Sequence, residues 1–422
     1  MRRPTVLIVL DGAADRPEPE LGDETPLSLA RTPNLDAIAR HGDGCMVQIL
    51  PNGGAPQTHS GMLSLLGYPE AAQLAKRGCL EGSVVFGEMR PGCLYARGNL
   101  SSLVDGRIPS RRVNRDISQQ EANAVVARLN DRIPESVGFG CRFESYSTYR
   151  LVVEIDLGMS RASDAITSTD PGYASDEFAT PPTQSDFPPT PSRPLIDSAA
   201  ARFSAESVNK LTEACACVLG EDPHSESRRR AGRLPVNYIL MRDFGAALPA
   251  VETFPKRWGV SAKYFHDLPV ELGVARYLRM DEEEAGCTSV TPAAFRDAGG
   301  RLIRDLDIYE FVCFHVKGPD EPGHNGDWRG KVNAIETVDQ SLFALIAAEL
   351  QRRPGMRLCV TSDHATCWSV GTHTSDPVPL IVAGQQTRRT GFRLTEQECR
   401  AGELNVSGGW SLMPTLYRGG AA

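Results

Sequence analysis

Residues 1–15, MRRPTVLIVLDGAAD, contain a short apolar run, TVLIVL (5–10), that ends directly at Asp11. The basic start and the apolar run imitate a secretory signal peptide, but the run is too short and an aspartate follows it at once. Short apolar runs of this kind are typical of parallel strands that are buried on both faces. The segment therefore predicts a buried strand with a carboxylate at its carboxyl end.

The same rhythm returns after about residue 236, where strand-like and helix-like segments alternate. The strand-like segments are NYILMRD, VSAKYFHD, DIYEFVCFHV, MRLCVTSDHA and PVPLIVAG, and the helix-like ones are ELGVARYLRM and KVNAIETVDQSLFALIAAELQRR. Repeated βα units are the pattern of a doubly wound α/β sheet, in which most strands are parallel. We therefore predict an α/β domain that is split in the sequence, formed by residues 1–70 and 236–422.

The segment between these two parts, residues 71–235, has a different texture. SVVFG, CLYARGNLSSLV and YRLVVEIDL predict strands, and QQEANAVVARLNDRI predicts an amphipathic helix, without regular alternation. This pattern favours an inserted α+β domain. Within it, the Pro-rich stretch 175–194 predicts an exposed loop, which is either a lid or a long surface loop.

Composition excludes several classes of protein. The chain has 422 residues and a net charge of −8, without a long Lys/Arg block, so nucleic acid is not an expected partner. No segment approaches the length of a transmembrane span. The 11 cysteines lack a CxxC pair, which predicts reduced thiols in a cytoplasmic protein and no cysteine metal site. The oligomeric state is left open.

Candidate metal ligands follow most of the predicted α/β strands. They are Asp11, Asp320, His324, Asp363, His364 and His373. Each one alone has an ordinary alternative as a turn or loop residue, but sites in open α/β sheets form beyond the carboxyl ends of strands, where all six would meet. Carboxylates and imidazoles without thiolates suit Zn or Mn, and six ligands are too many for one catalytic ion, so we predict two divalent ions.

The stretch PNGGAPQTHSGMLSLLGYPE (51–70) places Thr58 where a helix is predicted to begin. A structural explanation is that the hydroxyl caps the helix. Beside two metal ions, however, a threonine hydroxyl at a helix N-terminus is suited to act as a nucleophile in phosphoryl transfer. Ser60 is the alternative nucleophile, two residues further on.

Several motifs together resemble the alkaline phosphatase superfamily and, more closely, the archaeal-type cofactor-independent phosphoglycerate mutases. They are VLIVLDGAADRP, LGDETPLSLARTPNLD, LSLLGY, HVKGPDEPGHNGD, VTSDHATCWSVGTHTSDPVPLIV and SLMPTLY. The resemblance runs from residue 5 to about residue 417. It is weaker in the inserted segment, where it rests on ARGNLSSLVDGR, DAITSTDPG and LPVNYILMRDFG.

The resemblance implies a fold, a site and an activity. One metal would be held by Asp320, His324 and His373, and the other by Asp11, Asp363, His364 and the oxygen of Thr58. The ions would be Mn or Zn, with Mg or Co as alternatives. The activity would be that of a cytoplasmic isomerase of glycolysis that converts 3-phosphoglycerate and 2-phosphoglycerate. Residues in the matching stretches would bind this small phosphorylated substrate: Arg97, Arg111, Arg115, Asp164, Asp170, Arg242 and Lys317.

The sequence departs from the family pattern at five positions. Thr58 replaces the nucleophilic serine, and His59 and Met62 follow it where Asp and His are usual. Gly172 in TDPG and Leu272 in LPVELGVAR replace a histidine and a lysine. These changes surround the substrate, so a phosphatase, phosphotransferase or phosphonate-processing enzyme of another pathway is an alternative. A catalytically inactive binding or structural protein is a third.

Overall fold

A computed structural model of the chain describes residues 3–159, 161–173, 186–384 and 393–418. The chain forms two compact units. We call Met1–Gln73 together with Ala250–Ala422 the split unit, and Leu74–Pro249 the inserted unit. Within the described residues, no helix is both long and apolar enough to cross a membrane.

The described residues form fourteen strands and sixteen α-helices. The strands are β1 (Thr5–Leu10), β2 (Gly42–Val47), β3 (Cys93–Val104), β4 (Arg107–Ser110), β5 (Gly140–Ser147), β6 (Arg150–Asp156), β7 (Tyr238–Gly245), β8 (Ala262–His266), β9 (Asp281–Glu284), β10 (Phe311–Val316), β11 (Arg357–Thr361), β12 (Ala365–Cys367), β13 (Thr372–Thr374) and β14 (Val378–Gly384). The helices are α1 (Pro26–Leu29), α2 (Pro33–Ala39), α3 (Thr58–Leu65), α4 (Pro69–Leu74), α5 (Arg77–Val85), α6 (Gln119–Val137), α7 (Ala199–Gly220), α8 (Pro223–Arg230), α9 (Phe254–Trp258), α10 (Pro269–Tyr277), α11 (Pro292–Asp305), α12 (Asp320–His324), α13 (Trp328–Val338), α14 (Ala344–Arg352), α15 (Glu396–Arg400) and α16 (Leu412–Tyr417).

The split unit is built on a seven-stranded sheet with the order β2-β14-β11-β1-β10-β8-β9. The pairs β11–β1, β1–β10, β10–β8 and β8–β9 are parallel, whereas β14 is antiparallel to both of its neighbours. Every residue of β1 and of β10 is buried, as expected for central parallel strands that helices cover on both faces. The predicted α/β class with a mostly parallel sheet is confirmed.

The register of this sheet positions the site. β1 lies between β10 and β11, with Leu10 beside Val316 and Val9 beside Thr361. The residues that follow these three strands therefore leave the same edge of the sheet. Asp11, the segment from Lys317 to Asp320, and Asp363 all lie directly beyond these strand ends.

The inserted unit has a second, antiparallel sheet with the order β4-β3-β6-β5, and β7 pairs with β3 on its other side. Helices α6 and α7 cover one face and bury an apolar core with it. We predicted NYILMRD as a strand of the α/β domain, with the boundary after residue 235. Its pairing with β3 instead moves the second boundary of the compact units to Pro249, and the first follows Gln73.

One predicted strand is wrong. SVVFG (83–87) begins inside helix α5, because tertiary packing overrides the β-branched residues. Gly78 and Gly82 lie on one face of α5, and a Cβ on Gly78 would come within 2.5 Å of the Tyr95 carbonyl oxygen. These glycines let the helix approach β3 closely. Of the Pro-rich stretch 175–194, residues 175–185 lie outside the described residues, and 186–194 are largely irregular.

Candidate active site

Asp320, His324 and His373 form the first of two groups of potential metal ligands. Asp320 and His324 begin and end the short helix α12, and His373 lies in β13. Nε2 of His324 lies 3.5 Å from Asp320 Oδ2, and Nε2 of His373 lies 3.5 Å from Asp320 Oδ1. One ligand atom from each of the three residues lies within 4.8 Å of the other two, which is close enough to hold one ion.

Asp11, Asp363 and His364 form the second group, and all three are buried. Nε2 of His364 lies 3.1 Å from Asp363 Oδ2 and 3.4 Å from Asp11 Oδ1. Asp11 follows β1, while Asp363 and His364 follow the adjacent strand β11. The structure thus brings together the six carboxylates and imidazoles that the sequence singled out, in two groups of three.

The two groups adjoin each other. The rings of His364 and His373 stack with their centroids 3.6 Å apart and an interplanar angle of 19°. The hydroxyl of Thr366 links the groups, since it donates to Asp320 Oδ1 at 2.7 Å and lies 3.0 Å from His364 Nδ1. A pair of neighbouring divalent ions fits this arrangement better than a single ion does.

Backbone carbonyls orient two of the imidazoles. Nδ1 of His324 lies 3.0 Å from the carbonyl oxygen of Gly371, and Nδ1 of His373 lies 2.8 Å from that of Pro56. A carbonyl oxygen only accepts, so Nδ1 carries the proton in both rings. Nε2 of each ring then faces Asp320 and is the nitrogen that can bind a metal ion, which is the orientation found in metal-binding histidines.

The electrostatics of both groups favour bound cations. Burial alone lowers the pKa of the His364 imidazole, but the carboxylates of Asp363 and Asp11 raise it to about 10. Burial raises the pKa of the Asp320 carboxyl, but His324 and His373 hold it well below its usual range. This donor set fits divalent metal ions, which displace protons from such ligands.

Three further residues support the second group, and sequence reasoning missed two of them. His315 lies between Asp363 Oδ2 and Glu271 Oε1, at 3.2 Å from each. Lys317 donates to Asp11 Oδ2 at 2.7 Å and forms an ion pair with Glu271. His315 lies in β10 two residues before Lys317, and this spacing could have indicated it. Glu271 comes from helix α10 and carries no such signal.

Thr58 is the first residue of α3, and Gln57 is the N-cap. The hydroxyl of Ser60 accepts from the Gln57 N–H at 2.9 Å and donates to its carbonyl oxygen at 3.0 Å. Ser60 therefore has the capping role that we considered for Thr58. Among the described residues, none hydrogen-bonds the Thr58 side chain.

Contacts on both sides of Thr58 tie it to the two groups of ligands. Two residues before it, the Pro56 carbonyl accepts from His373. Three residues after it, Gly61 packs so tightly on Asp363 that a Cβ at position 61 would lie 2.3 Å from the Asp363 carbonyl oxygen. The first turn of α3 thus lies beside both groups.

The inserted unit carries a cluster of buried arginines and tyrosines. Arg97 on β3 and Arg242 on β7 are cross-strand partners, and both are buried. The guanidinium carbon of Arg242 lies 3.7 Å from the ring centre of Tyr173. Burial raises the pKa of the Tyr173 phenol, but Arg242, Arg112 and Arg97 lower it below its usual value. Positive charge therefore dominates in the cluster. Tyr146 and Tyr149 interact electrostatically with Arg97 and belong to the same cluster. Sequence reasoning missed these two tyrosines, Tyr173 and Arg112.

The other predicted substrate-binding residues differ in their surroundings. Arg111 Nη1 binds Asp170 Oδ1 at 3.0 Å, and the same oxygen accepts from the Gly172 N–H at 3.0 Å. A Cβ at position 172 would lie 1.5 Å from Arg111 Nη1, so the Arg111 guanidinium lies where only glycine leaves room. Arg115 is half-buried, and Asp164 Oδ2 accepts from the Ala246 N–H at 3.4 Å.

Comparisons with known proteins identify the family of the chain. The family model described as "Metalloenzyme superfamily" matches residues 3–416. The 2,3-bisphosphoglycerate-independent phosphoglycerate mutase of Aeropyrum pernix is 33% identical over 416 residues, which cover 96% of this chain and 97% of that protein. The enzyme of the same name from Ignicoccus hospitalis is 32% identical, over 96% of this chain and 94% of its own.

Two solved structures share the fold. A protein from Pyrococcus horikoshii has a TM-score of 0.76 at 24% identity, and the alignment covers 100% of this chain and 99% of that one. The cofactor-independent phosphoglycerate mutase from Thermoplasma acidophilum has a TM-score of 0.60 at 24% identity, with 99% of both chains covered.

The match to the superfamily first defines the class, which is that of metal-dependent enzymes with this α/β core. The sequence identities over nearly the full length then identify the family within this class. The chain belongs to the metalloenzyme superfamily and, within it, to the family of cofactor-independent phosphoglycerate mutases. It is thus a metal-dependent phosphomutase or phosphatase, and the resemblance seen in the sequence is confirmed.

Replacing Gly61 by alanine tests the contact that positions α3. The new methyl group would push the helix away from Asp363, and a shift of about 1 Å at a reacting group costs about 10²-fold in rate. We expect Gly61→Ala to lower the rate of phosphoryl transfer by about tenfold to 10²-fold while the protein remains folded, since the helix can absorb part of the shift. Steady-state kinetics and thermal unfolding measure the two effects.

Gly300→Ala is the matched control for this variant. Gly300 lies within helix α11, and the nearest atom to an added Cβ is the end of Arg304, 3.9 Å away. We expect unchanged kinetics and a gain of about 0.5–1 kcal/mol in the free energy of unfolding. Full activity of Gly61→Ala would show that the close contact does not position Thr58.

Proposed function

We propose that the protein is a two-metal phosphoglycerate mutase that interconverts 3-phosphoglycerate and 2-phosphoglycerate through a phosphothreonine at Thr58. The observation that carries this proposal is the pair of adjoining carboxylate–imidazole groups beside the first turn of α3. The printed names of the relatives supply the substrate. As an isomerase of glycolysis, the protein would act in the cytoplasm.

Asp320, His324 and His373 would hold one ion, and Asp11, Asp363, His364 and the Thr58 oxygen would hold the other. Three carboxylates and three imidazoles without a thiolate favour Mn or Zn, with Mg or Co as alternatives. When bound, two such ions supply positive charge that stabilises a transferring phosphoryl group and favours ionisation of a nearby hydroxyl. His315 and Lys317 would keep Asp363 and Asp11 in place, since each contacts one of them.

Thr58 is the proposed nucleophile. Its Oγ1 attacks the phosphorus of 3-phosphoglycerate and loses its proton, the bond from phosphorus to the substrate oxygen breaks, and that oxygen gains a proton. The hydroxyl on carbon 2 of the bound glycerate then attacks the phosphothreonine. The Thr58 hydroxyl is restored, and 2-phosphoglycerate leaves. Water must be excluded in between, because it would release free phosphate.

The arginine cluster of the inserted unit is suited to the acid part of the substrate. Arg97 and Arg242 are buried, and Nε of each lacks a hydrogen-bond partner among the described residues. A guanidinium binds a carboxylate or phosphate with two parallel hydrogen bonds. We propose Arg97, Arg111, Arg115 and Arg242 as substrate-binding residues, with Asp170 holding Arg111. Asp164 and Lys317 remain predicted substrate-binding residues.

A phosphatase, phosphotransferase or phosphonate-processing enzyme is the second candidate. The position of Arg111 favours it, since the family's usual residue at 172 has a side chain and would exclude the guanidinium from its present place. A changed acid-binding region would alter the substrate while leaving the two groups of metal ligands intact.

Phosphorus NMR distinguishes the two candidates. We expect the Mn(II)-loaded protein to convert 3-phosphoglycerate into 2-phosphoglycerate without free phosphate. Free phosphate without the isomer would establish a phosphatase. Cleavage of an aryl phosphate, with 3-phosphoglycerate unchanged, would assign a substrate from another pathway.

Thr58→Ala should abolish the phosphoenzyme and lower turnover by on the order of 10³-fold or more, because the attacking oxygen is gone. Thr58→Ser should restore both. Ser60→Ala, which removes only the cap, should cost about 1 kcal/mol of stability and still form the phosphoenzyme. Radiolabel transfer and mass spectrometry of the tryptic peptide measure the outcome. A labelled peptide from Thr58→Ala would identify another nucleophile.

Metal content tests the two ligand groups separately. We expect Asp320→Ala and Asp363→Ala each to lose about one bound ion per chain and nearly all activity, because each removes a carboxylate from one group. Asp327→Asn is the control: its side chain caps α13 close to α12, and asparagine caps equally well. Inductively coupled plasma mass spectrometry gives the ion count. Full metal content in either alanine variant would remove that residue from the proposed ligands.

A further inference from the structure

Strand β3 of the inserted unit presents different side chains to its two faces. Leu94, Ala96 and Leu100 point into the core beneath α6 and α7. Arg97, Asn99 and Ser101 alternate with them and so lie on the opposite face. A strand with one apolar and one polar face normally exposes the polar side chains to water. Here they are buried, with 7%, 3% and 0% of the residue surface exposed.

These buried polar side chains lack partners. Among the described residues, no group hydrogen-bonds Arg97 Nε, Asn99 Oδ1 or Ser101 Oγ. Arg242, which faces Arg97 across the sheet, has the same deficit at Nε, while its Nη1 lies 3.3 Å from Asp243 Oδ2 in an ion pair. Buried polar atoms are paired in the great majority of cases. Several unpaired atoms on one face of one sheet therefore indicate a ligand that supplies the missing partners.

The side-chain amide of Asn237, in the same sheet, has hydrogen-bond partners for both its oxygen and its nitrogen. This residue precedes β7 and is also buried. Its Oδ1 accepts from the Leu103 N–H at 2.8 Å, and its Nδ2 donates to the Leu103 carbonyl at 2.8 Å. Asn237 thus holds two backbone groups of β3. Asn99 also lies on β3, but its amide oxygen binds no backbone group among the described residues.

The unpaired atoms define the chemistry of the ligand. Glu81 and Asp243 already offset part of the positive charge of Arg97 and Arg242, but the Nε atoms of both arginines only donate, so they still require an acceptor, which an anionic group supplies. Asn99 Oδ1 only accepts, so it requires a donor, which an ionised carboxylate or phosphate lacks. A hydroxyl group supplies that donor. If the Asn99 amide were rotated so that its NH₂ group took the place of Oδ1, a hydroxyl would still pair with it, because a hydroxyl both donates and accepts. The Cα atoms of Arg97 and Asn99 are about 6.6 Å apart along the strand, so one small molecule reaches both.

We infer that Asn99 is a specificity-determining residue that hydrogen-bonds the free hydroxyl of a phosphorylated hydroxy acid, while Arg97 and Arg242 hold its anionic group. Ser101, the next residue on this face, extends the polar surface beyond Asn99. This inference rests on the proposed function and deepens it. Arginines alone hold any small organic anion of the right size, whereas Asn99 selects anions that carry a hydroxyl group.

The test compares two ligands that differ by one hydroxyl group. They are 3-phosphoglycerate and its 2-deoxy analogue, 3-phosphonooxypropionate, titrated by calorimetry into the Mn(II)-loaded Thr58→Ala protein, which does not turn them over. We expect 3-phosphoglycerate to bind about tenfold more tightly, the ratio that one buried hydrogen bond provides. Asn99→Leu, which keeps the volume without the acceptor, should bind both ligands with the affinity of the deoxy analogue.

Two further variants separate recognition from folding. Asn99→Ser keeps a hydroxyl that can accept, so it should retain part of the preference. Asn237→Ala should lower the melting temperature and leave the tenfold ratio unchanged, because its amide binds only backbone.

Three results would overturn the inference. An unchanged ratio in Asn99→Leu would show that Asn99 does not contact the hydroxyl group. Equal loss of affinity for both ligands would show a structural role only. If neither ligand binds to the Thr58→Ala protein, both the proposed substrate and the inference about Asn99 are wrong. If the unmodified protein has isomerase activity but Asn99→Leu leaves the ratio of the two affinities unchanged, only the inference about Asn99 is wrong.

Discussion

Parallel pairing of β1 with both β10 and β11 fixes where the chemistry of the split unit lies. Three neighbouring strands that run in the same direction deliver their carboxyl ends to one edge, so Asp11 meets Asp320 and Asp363 although it is more than 300 residues from either in the chain. An antiparallel neighbour would have sent one of them to the opposite edge. The remaining ligands need only short extensions, because His324 lies one helical turn after Asp320 and His364 follows Asp363.

Bringing these carboxylates together has an electrostatic cost, and the surrounding residues show how it is offset. Lys317 is the ammonium that touches the second ligand group, and it bridges Asp11 and Glu271. The imidazole of His364 offsets the remaining negative charge, because the carboxylates that surround it raise its pKa and so keep it protonated. Ligand groups that stay protonated although they are buried release those protons when divalent cations bind in their place. The family membership and the geometry thus lead independently to metal binding.

The sequence predicts this part of the molecule well, because an apolar strand and the polar residues after its end can both be recognised from a short stretch of sequence. TVLIVL, FVCFHV and RLCVT give the strands, and polar residues shortly beyond them give five of the six candidate ligands, while His373 precedes the strand PVPLIV. Packing between distant segments has no such signal. Glu271 reaches the site from α10, and SVVFG becomes helical because glycines on α5 fit against β3. The same limit applies to NYILMRD, whose pattern predicts a strand without showing which sheet it joins.

The two units therefore demand opposite ligands. In the split unit, carboxylates and imidazoles outnumber fixed cations, and they require positive charge. In the inserted unit, guanidinium groups dominate strongly enough to lower the pKa of Tyr173 despite burial, and they require negative charge. A phosphate ester suits metal ions held by the split unit, and an acid group suits the arginines of the inserted unit. Neither requirement is selective, since metal ions accept any phosphate ester and arginines any anion. The hydroxyl group is the remaining feature of the proposed substrate. Asn99, which like Ser101 has an unpaired oxygen on the same face as Arg97, is the residue that we infer to select it.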